Sequence, residues 1–191
     1  MKLVFPKCCR LLSILFVCTF ASFANIANAS EAEELRVKAN QGDVQAQLEL
    51  GRIYFGGLDV DQDYQQSFAW YSKAADQGDA EGQYNLGTLY FLGKGVMKDD
   101  QQAIAWYTKA ADQGHAHAQY NLGAIYAGGL AMPQDFKQAY VWLSLASASG
   151  HLDSTKAREI VAEMLTPQVL SEAQQEAKAL TDQINARKSA Q

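Results

Sequence analysis

The sequence predicts an all-α protein, a right-handed α/α superhelix of stacked helix-turn-helix repeats. Three observations predict it. A block of residues returns at a spacing of 36: Gly51, Tyr54, Trp70, Ala74 and Gly78 come back as Gly87, Tyr90, Trp106, Ala110 and Gly114, then as Gly123, Tyr126, Trp142, Ala146 and Gly150. Each block carries two apolar patterns of helical period, and a fixed period of this length with two helical stripes marks a solenoid of helix pairs. Glycines and aspartates fall in phase at the ends of both stripes, where helices need C-caps and N-caps.

The N-terminus has a different grammar. Lys2, Lys7 and Arg10 give a basic start, Leu11 to Phe20 an apolar run, and Ala27-Asn28-Ala29 a small-x-small site. This pattern predicts a signal peptide over residues 1–29, cleaved after Ala29 with Ala24 as the alternative. The apolar run is shorter than the roughly 20 residues a spanning helix needs, so no membrane insertion is expected after cleavage. Export implies a periplasmic or secreted protein. Cys8, Cys9 and Cys18 all lie in the segment removed, so disulfides and thiolate metal sites are not expected in the remainder. Losing Lys2, Lys7 and Arg10 leaves 13 basic against 21 acidic residues, a formal charge of −8. That balance argues against nucleic acid as a partner.

Residues 30–42 form an N-terminal capping helix, whose end Ala39-Asn40-Gln41-Gly42 matches Ala75-Asp76-Gln77-Gly78. Three repeats follow at 43–78, 79–114 and 115–150. In each, helix A comes first (Val44 to Phe55 in the first repeat). A mid-helix glycine costs about 1 kcal/mol relative to alanine, so the return of Gly51 as Gly87 and Gly123 predicts a second helix crossing there. Asp63, Asp99 and Asp135 precede helix B as N-caps, and Asp43 and Asp79 precede helix A. Gly78, Gly114 and Gly150 end helix B in the left-handed conformation. Residues 151–191 form a degenerate half-repeat and a C-terminal capping helix. Lys156, Arg158 and Glu159 replace Tyr120, Leu122 and Gly123, and Thr166-Pro167 begins a helix with Leu170, Ala173, Ala177, Leu180 and Ile184 on one face. Arg187 to Gln191 are expected to fray.

The unit resembles the Sel1-like repeat, a relative of the tetratricopeptide repeat. The resemblance is carried by Gln83-Tyr84-Asn85-Leu86-Gly87, Gly93-Lys94-Gly95-Val96 and Trp106-Tyr107-Thr108-Lys109-Ala110-Ala111. The sequence departs from the pattern at Leu58-Asp59, at Ala127 to Ala131, and at Leu145, which stands where Lys73 and Lys109 stood. The resemblance implies a non-enzymatic scaffold or adaptor that binds a protein or peptide. A cysteine-rich branch of the family is linked to penicillin-type ligands, which makes a cell-wall-ligand binding protein or hydrolase the alternative, without the cysteine pairs of that branch.

No catalytic constellation is evident. Asp99-Asp100 sits at a helix start, where capping accounts for it. His115 and His151 occupy the slot of Asp43 and Asp79, and His115 and His117, two apart on one helix, should diverge. No metal, cofactor or catalytic residue is therefore expected. Recognition should fall on helix-A positions turned away from helix B: Glu49, Arg52, Asn85, Thr88, Asn121 and Ala124. Asn85 and Asn121 either hold an extended peptide by paired amide bonds or tie adjacent helices together. The chain is expected to act as a monomer.

Overall fold

The computed structural model describes residues 33–58 and 60–190. The expected signal peptide and its cleavage site lie outside them, as does Asp59. Among the described residues all regular structure is helical. Residues 33–40 form α1. Three hairpins follow: α2 (Val44–Gly56) with α3 (Tyr64–Asp76), α4 (Ala80–Leu92) with α5 (Asp100–Asp112), and α6 (Ala116–Gly128) with α7 (Phe136–Ala148). The chain ends in α8 (Ser154–Ala162) and α9 (Pro167–Ser189). Each hairpin packs on the next through its B helix, α3 on α4, α5 on α6 and α7 on α8, which makes the molecule a solenoid of consecutive pairs.

The local grammar holds at each end. Asp63 accepts from the N–H groups of Gln65 and Gln66, and Asp99 and Asp135 cap α5 and α7 the same way. Gly78, Gly114 and Gly150, one residue past the caps of the B helices, have φ of +88°, +80° and +90°. The mid-helix glycines mark the crossings. A Cβ on Gly51 would lie 2.6 Å from the Tyr71 ring, on Gly87 2.9 Å from Tyr107, and on Gly123 2.6 Å from Leu143. Position 71/107/143 therefore fills the space inside a hairpin. The tryptophan before it works between hairpins. Trp70 packs with Leu35, Ala39 and Leu50, and Trp106 with Phe68, Tyr71 and Leu86. Trp70 and Trp142 are buried, whereas Trp106 is only half-buried.

A row of glutamines stitches the units together. Gln47, Gln83 and Gln119 are buried in the A helices, and their side-chain amides donate to the carbonyls of Ala39, Ala75 and Ala111 on the preceding B helix. Gln77 and Gln113, closing the B helices, donate in turn to Oε1 of Gln47 and Gln83. The third unit has Ser149 in that place, and Oε1 of Gln119, fully buried, has no partner. The backbone at Ser149 (φ −84°, ψ 4°) matches Gln77 (−80°, 0°) and Gln113 (−90°, 0°), so a glutamine fits there without strain. Ser149→Gln is expected to raise stability by about 1 kcal/mol, the net worth of a hydrogen bond to an otherwise unsatisfied buried acceptor. A urea titration in which the midpoint fails to rise would count against the missing rung.

The C-terminal end explains the substitution at Leu145. Helix α9 packs along α7 instead of pairing with α8. Helix α7 is consequently buried almost all round, from Ala139 to Leu143 and again at Leu145 and Ala146, and a helix covered on every side must be apolar on every side. Lys73 and Lys109 keep their places on α3 and α5, where each ammonium stands 3.8 Å and 3.7 Å from the ring centre of Trp70 and Trp106. Ala173, Ala177 and Ile184 are the buried face of α9. The helix runs to Ser189, with Ile184 and Lys188 against Gly114 at the end of α5, and Gln191, the last residue expected to fray, lies outside the described residues. On α8, exposed Thr155 and Glu159 take the places of the buried Gln119 and Gly123. An array ends where its outer face turns polar.

Candidate functional site

The wall formed by α2, α4, α6 and α8 carries every residue singled out for recognition. Glu49 and Arg52 are bound to one another through both carboxylate oxygens, with Arg52 Nε donating to Oε2 at 3.0 Å. Asn85 uses its amide within α4, donating to the Glu81 carbonyl (2.9 Å) and to Glu81 Oε1 (3.0 Å). Thr88 donates to the Tyr84 carbonyl at 3.0 Å and receives the Tyr107 hydroxyl at 3.2 Å. Ala124 is exposed, and Asn85, Thr88 and Asn121 are half-buried. The two tyrosines behind the wall are held neutral by burial, with Tyr71 pushed up to about 12 and Tyr107 raised in the same sense.

The histidines behave differently from expectation. Considered along one helix they diverge, but the stacking of units brings them together. His115 replaces aspartate at the N-cap of α6, and its Nδ1 accepts the N–H of Ala118 at 3.3 Å. That nitrogen therefore lacks a proton, and Nε2 donates to Glu81 Oε2 at 2.9 Å. The same ring stacks on Tyr84 of the previous unit (centroids 4.6 Å apart, planes at 24°), and His151 stacks on Tyr120 one unit later (4.2 Å, 13°). His117 stands between them, 6.0 Å from His115 and 4.9 Å from His151. Glu81, Tyr84, His117, Tyr120 and His151 were all missing from the residues predicted from sequence. A signal was available: each stacked pair is separated by 31 residues, Tyr84 to His115 and Tyr120 to His151. Among the described residues, no group of three or more His, Cys, Asp or Glu side chains is arranged to hold a metal ion.

Burial, and then the neighbouring His117, hold His151 below the usual imidazole value, against a smaller upward pull from Asp153. As the pH falls, an unfolded chain protonates this histidine before the folded one does. Its contribution to stability is therefore complete above about pH 6.5 and erodes as the pH drops through that value toward the lower folded one. His151→Gln is expected to flatten the fall in urea midpoint between about pH 7 and pH 5. A slope unchanged by the substitution would remove His151 from the titration.

Comparison with known proteins fits this architecture. The Sel1 repeat family matches residues 44–79, 80–115 and 116–151, more than half of the chain. The chain belongs to the Sel1-repeat family. Similar solved Sel1-repeat structures include a Sel1 repeat protein from Oxalobacter formigenes, 35% identical, covering 68% of this chain and 97% of that one with a TM-score of 0.61. A protective antigen of uropathogenic Escherichia coli with an SLR fold is 33% identical, covering 80% of this chain but 40% of that one, with a TM-score of 0.50. Cysteine rich protein B of Helicobacter pylori is 28% identical, covering 66% of this chain and 96% of that one, with a TM-score of 0.52. No curated protein sequence matches the chain. The Sel1-repeat fold is in general a scaffold for protein–protein interaction, and its members are typically non-enzymatic.

Proposed function

We propose that this Sel1-repeat protein is an exported adaptor that binds a segment of another protein along the wall of α2, α4 and α6, and that it acts as a monomer. The observation carrying this reading is the division of labour within each repeat. The recurring Trp, Tyr and Gly side chains are consumed in packing, and the buried glutamines in joining units. Both helices of each unit depart from the repeat, but on the A helices the departures include three neighbouring columns of one face: Gln45, Glu81 and His117; Glu49, Asn85 and Asn121; Arg52, Thr88 and Ala124. A scaffold that repeats its core and varies one wall places its specificity on that wall. Export is supported by the basic, apolar and small-x-small order of residues 1–29. Exposed Thr155 and Glu159 on α8, in the places of Gln119 and Gly123, support monomeric action, against the exposed apolar Leu152, Ile160 and Met164 on and beside the same helix.

The experiment replaces Ala124, exposed on the wall, and Gln102, exposed on α5, each by a photocrosslinking residue in intact cells. Irradiation is expected to trap a discrete protein adduct at 124 and none at 102. Equal yields at both positions, or adducts at 102 alone, would move the binding face elsewhere.

A further inference from the structure

One carboxylate on the wall is held in place without being used up. Glu81 Oε2 accepts from His115 Nε2 and Oε1 accepts from Asn85 Nδ2, yet the side chain remains 54% exposed. A carboxylate offers about four lone-pair directions over its two oxygens, so each oxygen can take another donor. The hydrogen bond from His115 is the largest influence keeping this group ionised, acting against its partial burial.

The remaining charges sharpen the contrast. Glu49 is occupied by Arg52, Glu34 by Lys38, and Glu172 and Glu176 by Lys137. Among the described residues no lysine or arginine pairs with Glu81. Asp43, Asp63, Asp79, Asp99 and Asp135 each accept a backbone N–H of the helix they begin. Glu49, engaged by Arg52, stands on α2, the preceding helix of the same wall. Beside Glu81, the half-buried Tyr84 and its stacked His115 form a rigid aromatic bank, a surface along which the methylene stem of a long basic side chain can lie.

We propose that Glu81, braced by His115 and Asn85, is the anchor for a lysine or arginine side chain of the bound protein segment, whose stem runs along the Tyr84–His115 stack. The proposal rests on the adaptor reading above and names the chemistry of its partner. A braced carboxylate loses no side-chain freedom when it takes the cation, which is the advantage of a preorganised site. The excess of 21 acidic over 13 basic residues outside 1–29 steers a basic segment in the same direction.

The test uses isotope-labelled protein and three capped heptapeptides, Ac-AKAKAKA-NH2, Ac-AQAQAQA-NH2 and Ac-AEAEAEA-NH2, followed by NMR. The lysine peptide is expected to shift the amides of Glu81, Asn85 and His115 with saturation below about 5 mM, and Glu81→Gln to weaken it about tenfold. Glutamine retains an acceptor for His115, so the wall should keep its fold, as the unchanged spectrum of distant residues will report. Arg52→Ala, which releases Glu49, is expected to tighten the lysine peptide. If the glutamine or glutamate peptide shifts the same amides equally, the lysine assignment falls and the binding wall stands. If the lysine peptide fails to saturate, or if Glu81→Gln leaves its affinity unchanged, the anchor is overturned. Shifts confined to α3, α5 and α7 would overturn both readings.

Discussion

Tyr107→Ala is expected to cost about 3–5 kcal/mol of folding stability, the range for removing a large buried ring, and Trp106→Ala about 1–2 kcal/mol. The sequence invites the opposite ranking, because tryptophan is the larger residue and recurs in every unit. Geometry reverses it. Tyr107 is 2% exposed, its ring lies where a Cβ on Gly87 would be 2.9 Å away, and Ala103 O lies 3.2 Å from the same point. Two helices meet face to face there, and neither can move in to fill a cavity without losing its own caps. The hydroxyl adds a bond to Thr88. Trp106 is half-buried between hairpins, with Lys109 above its outer face, so its loss opens a groove that solvent can fill. Urea unfolding of the two variants decides the matter: a larger loss for Trp106→Ala would mean that contacts between hairpins, not within them, dominate.

This comparison shows what the sequence carries and what it hides. The period, the caps and the glycine crossings are legible because each is a local rule repeated in phase. A helix needs an N-cap, and Asp63, Asp99 and Asp135 supply it in register. The row of glutamines was equally legible at 47, 83 and 119, with 77 and 113 each 30 residues after the first two, and Ser149 marks its interruption. What hides is contact between residues far apart in the chain with no shared phase. Helix α9 could have paired with α8, as a B helix normally does. Its placement on α7 shows only indirectly, in the apolar Leu145 where Lys73 and Lys109 stood.

The candidate wall was legible to the same degree. Period alone placed Glu49, Arg52, Asn85, Thr88, Asn121 and Ala124 on the A helices, but it did not show that Thr88 meets Tyr107 of its own helix B. Glu81 and the histidines were not found this way, because their importance lies across units. Glu81 is braced by a histidine 34 residues later. Tyr84 is covered by that same ring. A histidine in an aspartate's slot reads as a cap, and it is one, but unlike aspartate it has a second nitrogen and an aromatic face to offer a neighbour.

Gly95→Ala is the second change of large expected effect, and its counterpart in the third unit explains the size. Gly95 has φ of +73°, and a Cβ there would stand 2.0 Å from the Tyr64 carbonyl oxygen and 2.4 Å from its carbon. A left-handed conformation alone costs a non-glycine residue about 1–2 kcal/mol. The collision is with backbone at the first turn of α3, so relief requires the whole turn to lift, at a further cost of about 1–3 kcal/mol. Lifting it would also pull Lys94 from its position over the rings of Phe55 and Tyr64. One period later the residue is Ala131, and it holds the same left-handed conformation with φ of +61°. That turn carries the conformational cost without the collision: Leu130 replaces Lys94 and is exposed, and Gln101 ties the turn to α5 by donating to the Ala131 carbonyl at 2.7 Å. Ala131→Gly should therefore stabilise the protein, by the relief of about 1–2 kcal/mol less the roughly 0.4–1 kcal/mol by which glycine loosens the unfolded chain. The two substitutions, made in equivalent places, are expected to shift the melting temperature in opposite directions. If Gly95→Ala melts with the parent protein, the second turn does not rest on α3 as the structure places it.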